Sequence, residues 1–100
     1  MCYESAILYA EEAMELYEKL GYRRYVPYMI INIAIANDSL KSYDLAQLNY
    51  IKAIELFEHD ENLYELAFAS IGLGRNYART NQGSLASTQF NRALMISNQK

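Results

Sequence analysis

Apolar residues recur at spacings of three and four positions along almost the whole chain. This is the spacing of α-helices that bury one face. Four short segments interrupt it, near residues 21–22, 39–42, 59–61 and 81–84. The pattern therefore predicts five helices and little else, at residues 3–20, 24–38, 43–58, 62–80 and 84–97.

Residues at the predicted boundaries agree with these limits. Ser42 and Asp60 precede the third and fourth helices, where a side-chain oxygen can accept a hydrogen bond from a free backbone N–H. Pro27 falls in the first turn of the second helix, where its missing N–H costs little. Gly83 and Ser84 open the fifth helix. We therefore expect Ser42 and Asp60 to be N-caps.

The chain also aligns with itself after a shift of forty residues. Small residues and an aromatic position recur in the same order. Small side chains let neighbouring helices approach closely, and an aromatic ring fills the gap between them. Three copies agree at the same helical positions. The aligned positions are Ala6, Ala10, Ala13 and Met14; Ala46, Tyr50, Ala53 and Ile54; and Ala86, Phe90, Ala93 and Leu94.

The third copy carries a more specific motif. The segment Leu73-Gly74-Arg75-Asn76-Tyr77 is similar to L-G-x-x-Y, and Ala86, Phe90 and Ala93 are spaced as in A-x-x-x-F-x-x-A. The chain thus resembles the tetratricopeptide repeat family. The chain departs from the family motif at two positions: Ser70 stands where the family usually has Trp, and Asn98 stands where the family has its closing Pro. The forty-residue period resembles that of bacterial peptide-sensing regulators of the Rap and PlcR kind.

The resemblance implies an all-α fold: a right-handed α-solenoid of five antiparallel helices, about two and a half helix-turn-helix repeats, over residues 1–100. The chain opens with a helix of the second type, so we expect a segment of a longer array in a regulatory or scaffold protein. The terminal helices then lack neighbours on one face. This favours, as an alternative, a structural segment that assembles into a homo-oligomer.

The family presents the first helix of each pair along a concave face that binds a peptide or another protein. Carried over to this chain, the resemblance implies a peptide-binding site made of Tyr28, Ile31, Asn32 and Ile35 from the second helix and Phe68, Ile71, Arg75 and Arg79 from the fourth. The two arginines are one turn apart, where guanidinium groups could hold carboxylates. Alternatively they are solvated or pair with Glu65.

Three asparagines interrupt the apolar pattern, and a buried amide costs stability unless it is hydrogen-bonded. Asn32 could bond to the backbone of a ligand or simply face solvent. For Asn37 and Asn76 the same ligand contact is the alternative, but we expect exposed positions near helix ends.

Ten tyrosines and no tryptophan make an unusual aromatic composition. Tyr17, Tyr50 and Tyr77 occupy repeat positions that we expect to pack between helices. A second group, Tyr22, Tyr25 and Tyr28, lies beside Arg23 and Arg24 at the start of the second helix. That group is either a contact patch or a solvated loop.

Charge and composition narrow the possible partners. A net charge of -3 disfavours binding to nucleic acid phosphates. The single cysteine, Cys2, and single histidine, His59, predict no disulfide, metal or cofactor site, and no catalytic group. Gly72-x-Gly74 lies in a helix pattern and so lacks the strand that a nucleotide-binding loop follows.

The remaining sequence features predict no further functional site. The glutamates of the first helix predict a solvated face, with Glu15 and Lys19 spaced for an ordinary pair. We find no export signal and no membrane-spanning run, so we expect a cytoplasmic protein. No group of residues predicts catalysis, so we expect that it is not an enzyme. The family resemblance implies that it binds a protein or peptide.

Overall fold

The computed structural model describes residues 2–98, and this part of the chain holds five α-helices and no strand. The helices are α1 (Tyr3–Leu20), α2 (Val26–Ser39), α3 (Tyr43–His59), α4 (Leu63–Arg79) and α5 (Gly83–Ser97). A short 3-10 helix, Arg23–Tyr25, precedes α2. The prediction of five helices is confirmed, and each predicted boundary lies within two residues of the observed one.

The turns after the first four helices share one backbone geometry. Each contains a residue with positive φ, and these residues are twenty positions apart: Gly21, Lys41, Glu61 and Asn81. The N–H of the next residue donates to a carbonyl five residues earlier, as from Ser42 to Asn37. Such bonds satisfy carbonyls that the last helical turn leaves free. One helix with its turn is therefore a twenty-residue unit, half of the repeat found in the sequence.

These turns explain where the predicted caps differ from the observed ones. Asp60 is not the N-cap of α4: it ends α3, and Asn62 precedes α4 because the turn at Glu61 lies between them. Ser42 does precede α3, but its hydroxyl makes no capping bond. The predicted place of Pro27 in the first turn of α2 is confirmed.

Each helix packs against its neighbours in sequence, and α2 also contacts α4 directly. The core lies mainly between α2, α3 and α4. Alanines at fully buried positions, such as Ala34, Ala46 and Ala69, let these helices approach closely. Phe57 and Leu73 fill the remaining space. The contact between α2 and α4 brings two alternate helices together at one surface, and that surface holds the site considered below.

Two glycines of α4 allow rings from both neighbouring helices to press on its backbone. A Cβ atom at Gly72 would lie 2.5 Å from Cε1 of Tyr50, and one at Gly74 would lie 2.6 Å from Cε1 of Phe90. The expected packing of Tyr50 and Tyr77 between helices is confirmed, since both are buried. These glycines therefore have a packing role.

Replacing Glu61 by glycine should stabilise the fold. A non-glycine residue in the left-handed region costs about 1–2 kcal/mol. Glycine removes this cost, but part of the gain is offset because glycine loses more backbone entropy on folding. We expect Glu61→Gly to raise the free energy of unfolding by about 0.5–1 kcal/mol in urea titrations. The control Glu55→Gly, inside α3, should lower it by about 1 kcal/mol. A loss of stability in both variants would contradict the proposed role of the turn.

Adding a methyl group at Gly72 should destabilise the protein. The new Cβ overlaps the Tyr50 ring, and overpacking of this kind costs about 1–3 kcal/mol. Gly83→Ala is the matched control, because nothing lies within 4 Å of its Cβ position and alanine favours a helix. Urea unfolding should separate the two variants, and equal stability would show that the ring moves aside freely.

Candidate functional site

A cleft of about 200 Å³ lies where α2 meets α4, and we call it the α2–α4 cleft. Its apolar walls include Ile35 of α2 and Phe68 and Ile71 of α4. Gly72 and the ring of Tyr50 from α3 also line it. At its polar end are Asp38, Ser39, Arg75 and Arg79.

The apolar walls of the cleft remain accessible to solvent. Ile35 and Ile71 are more than a third exposed, and Phe68 is 56% exposed. Phe68, Ile71 and Arg75 share one face of α4, because positions three and four apart are neighbours on a helix. The cleft therefore offers an exposed apolar surface next to positive charge.

A buried polar network lies behind the polar end. Asn76 has no exposed surface, and its Nδ2 donates to Oδ1 of Asp38 and to the backbone carbonyl of Tyr43, each at 3.0 Å. Its Oδ1 accepts a hydrogen bond from Nε2 of Gln47, also at 3.0 Å. The amide of one α4 residue thus connects α2 and α3, and both of its N–H groups are used.

The two arginines of the cleft differ in their partners. Nη1 of Arg79 lies 3.4 Å from Oδ2 of Asp38, so this arginine pairs with a buried carboxylate and not with Glu65. Arg75 makes no ion pair with any residue in the described range 2–98. Arg75 is therefore the cation of the cleft that is available to a ligand.

Tyr50 adds a further polar group to the lining of the cleft. Burial, and after it the nearby Asp38 carboxylate, raises the pKa of Tyr50 to about 12, while Arg79 and Arg75 act in the opposite direction. A raised pKa means that the folded state holds this proton more tightly than the unfolded state. Its contribution to stability is present below about pH 10 and is lost as the pH rises towards 12.

The structure places five of the eight predicted site residues along this cleft: Ile35, Phe68, Ile71, Arg75 and Arg79. Ile31 was wrongly expected at the binding surface. It is 5% exposed and belongs to the hydrophobic core, because the face of α2 that carries Ile30, Ile31 and Ala34 packs inward. Asn32 is exposed and lies outside the lining.

The expectation that Asn37 and Asn76 are exposed is also wrong. Both are buried, and Oδ1 of Asn37 accepts a hydrogen bond from Nδ2 of Asn49 at 2.9 Å. Sequence reasoning missed Asp38 altogether. A usable signal existed, since Asp38 follows Ile31 and Ala34 at helical spacing and therefore lies on the buried stripe of α2.

Tyr28, the remaining predicted residue, lines a second and wider cleft between the start of α2 and the end of α3. Its ring contacts Phe57 edge-on, and its hydroxyl accepts a hydrogen bond from Nδ2 of Asn62 at 3.2 Å. Tyr25 contacts the rings of both Tyr17 and Tyr22. Tyr17, Tyr22 and Tyr25 therefore form a ring cluster that does not include Tyr28, and Arg23 and Arg24 beside it are exposed.

The described part of the chain offers few other groups that could form a functional site. No three His, Cys, Asp or Glu side chains between residues 2 and 98 lie close enough to hold a metal ion. The predicted pair of Glu15 and Lys19 is confirmed at 3.8 Å, with both side chains exposed. No described helix combines the length and apolar character needed to cross a lipid bilayer.

A scan against protein-family models and searches of the curated proteins and of the solved structures find no match to this chain.

Removing the amide of Asn76 should destabilise the fold strongly. Asn76→Ala leaves Asp38, Gln47 and the Tyr43 carbonyl without this partner, and each unsatisfied buried group costs about 1–3 kcal/mol. We therefore expect the free energy of unfolding to fall by at least about 2 kcal/mol in urea titrations. Asn91→Ala, on the exposed side of α5, should change it by less than about 0.5 kcal/mol. Similar losses in both would show that the network adds little.

Proposed function

We propose that this chain is a tetratricopeptide-type helical-repeat segment that binds an extended peptide or protein segment in the α2–α4 cleft. The contact between alternate helices supports a solenoid arrangement, as does the twenty-residue spacing of its four equivalent turns. We assign the segment to a larger regulatory or scaffold protein of the cytoplasm, acting by binding and without catalysis.

The observation that carries this proposal is an exposed apolar wall beside an unpaired cation. Phe68 and Ile71 lie on the face of α4 that also carries Arg75, and Ile35 faces them from α2. Binding sites typically combine apolar area with a few polar groups that fix orientation. A segment with apolar side chains next to one acidic side chain would complement this surface.

Polarity along the cleft also suggests how such a segment would lie. Phe68 is nearer the start of α4, and Arg75 lies two turns further towards its end. The apolar side chains of the ligand would then contact Phe68, while its acidic group would reach Arg75. Because the helices and the buried network fix these residues before binding, little ordering of the protein is needed.

Self-assembly is the second candidate, and one comparison within the chain favours it. Tyr50 and Ile54 of α3 are buried under α4, whereas Phe90 and Leu94, their repeat equivalents in α5, are exposed. A second copy could cover this face of α5. Light scattering on the samples used for binding would detect it as a mass that rises with concentration.

Peptide selection tests the proposal directly. We expect a random decapeptide display library to yield sequences with apolar residues and an acidic side chain. In fluorescence anisotropy, Arg75→Ala should weaken an enriched acidic peptide by about three- to tenfold and leave its Glu→Gln version unchanged. Phe68→Ala should weaken both peptides, because it removes apolar contact area.

Arg23→Ala is the matched control, since it removes an exposed arginine that lies outside the α2–α4 cleft. It should leave both peptides bound as in the wild type. Absence of any enriched peptide would refute the proposed function. Equal losses from Arg75→Ala for the acidic and neutral peptides would remove that arginine from the site.

A further inference from the structure

We propose that Asp38 sets the charge that the α2–α4 cleft accepts: it occupies Arg79 and leaves Arg75 as the guanidinium that a ligand engages. The cleft then selects a segment with one acidic side chain over a segment with two. This inference rests on the proposed function, since it concerns the ligand of the same cleft.

The first step is that Asp38 is a carboxylate with fixed partners. Only 8% of the residue is exposed, and a buried carboxylate is costly unless it is paired and hydrogen-bonded. One oxygen accepts a hydrogen bond from Asn76, and the other lies 3.4 Å from Arg79. Both oxygens therefore have partners without any ligand.

The second step is that Arg79 already has an anionic partner within the protein. Its side chain is 51% exposed, but that of Asp38 is only 6% exposed, so the guanidinium reaches from the rim to a buried acceptor. A ligand carboxylate that took Arg79 would leave the charge of Asp38 without its cation. Leaving a buried carboxylate without a compensating charge is unfavourable.

The third step is the sum of charges at the cleft. Its charged lining residues are Asp38, Arg75 and Arg79, which give a net charge of about +1 at neutral pH. Tyr50 and Ser39 add no charge there. One acidic group on a ligand neutralises Arg75. A second acidic group would find no unpaired arginine in the lining of the cleft, and it would approach the Asp38 carboxylate, which carries the same charge. We therefore expect discrimination by charge number as well as by charge sign.

The test compares two variants that each remove one negative charge. Asp38→Asn keeps the side-chain shape and an oxygen that can accept from Asn76, but releases Arg79. Asp44→Asn is the control, because Asp44 is exposed on α3 and does not line the cleft. Random decapeptide libraries are selected separately on the wild type and on both variants. Synthetic peptides from these selections, carrying one or two glutamates, are then measured by anisotropy.

For the wild type and for Asp44→Asn, we expect the peptides with one and two glutamates to bind within about twofold of each other. For Asp38→Asn, the peptide with two glutamates should bind about fivefold or more tightly than the peptide with one. An absorbance titration of the tyrosines should show the pKa of Tyr50 falling in this variant, while circular dichroism shows an unchanged helix content.

A further variant keeps the inference testable if Asp38→Asn fails to fold. Because Arg79 is already occupied, Arg79→Gln should change the affinity for the one-glutamate peptide by less than about twofold, whereas Arg75→Gln should weaken it by about fivefold. Equal losses from the two substitutions would overturn the inference, as would identical peptide preferences of Asp38→Asn and the wild type. If the wild type enriches no peptide, the proposed function itself fails, and the inference fails with it.

Discussion

The hydrogen bond between Asn76 and Asp38 is the interaction on which the arrangement of α2, α3 and α4 depends. Asn76 is completely buried, and its side-chain amide donates one hydrogen bond to Asp38 and one to the Tyr43 carbonyl. Apolar packing alone permits helices to slide and rotate, because it is not directional. Satisfying this amide requires one relative position of three helices, and the position of Arg79 follows from the carboxylate that the amide holds.

The cleft exists because two kinds of packing meet at α4. On the side facing α3, Gly72 allows the ring of Tyr50 to approach the backbone, so this position of the lining carries no side chain of its own. On the side facing solvent, Phe68 and Ile71 remain exposed because α2 does not cover them. Close contact between α3 and α4, together with the incomplete cover of α4 by α2, leaves a small apolar depression with Asp38 at its polar end.

Several site residues were predictable because helical spacing alone places them together. Phe68, Ile71 and Arg75 share a face of α4 in any helix with these limits. Ile31 was misplaced because a short, largely apolar helix such as α2 gives little indication of which face is buried. The burial of Asn76 was missed for a related reason: an asparagine near a helix end is usually solvated, and its three partners lie between 29 and 38 residues away.

The sequence by itself determined the number of helices, their limits and the forty-residue repeat, because local periodicity and turn residues act over a few positions. Only the tertiary structure decided which polar groups are satisfied internally and which remain available. Arg75 and Arg79 lie one turn apart on α4 and have the same side chain, yet of the two only Arg79 forms an ion pair within residues 2–98. The difference arises from Asp38, which the chain places forty-one positions before Arg79 and the fold brings within 3.4 Å.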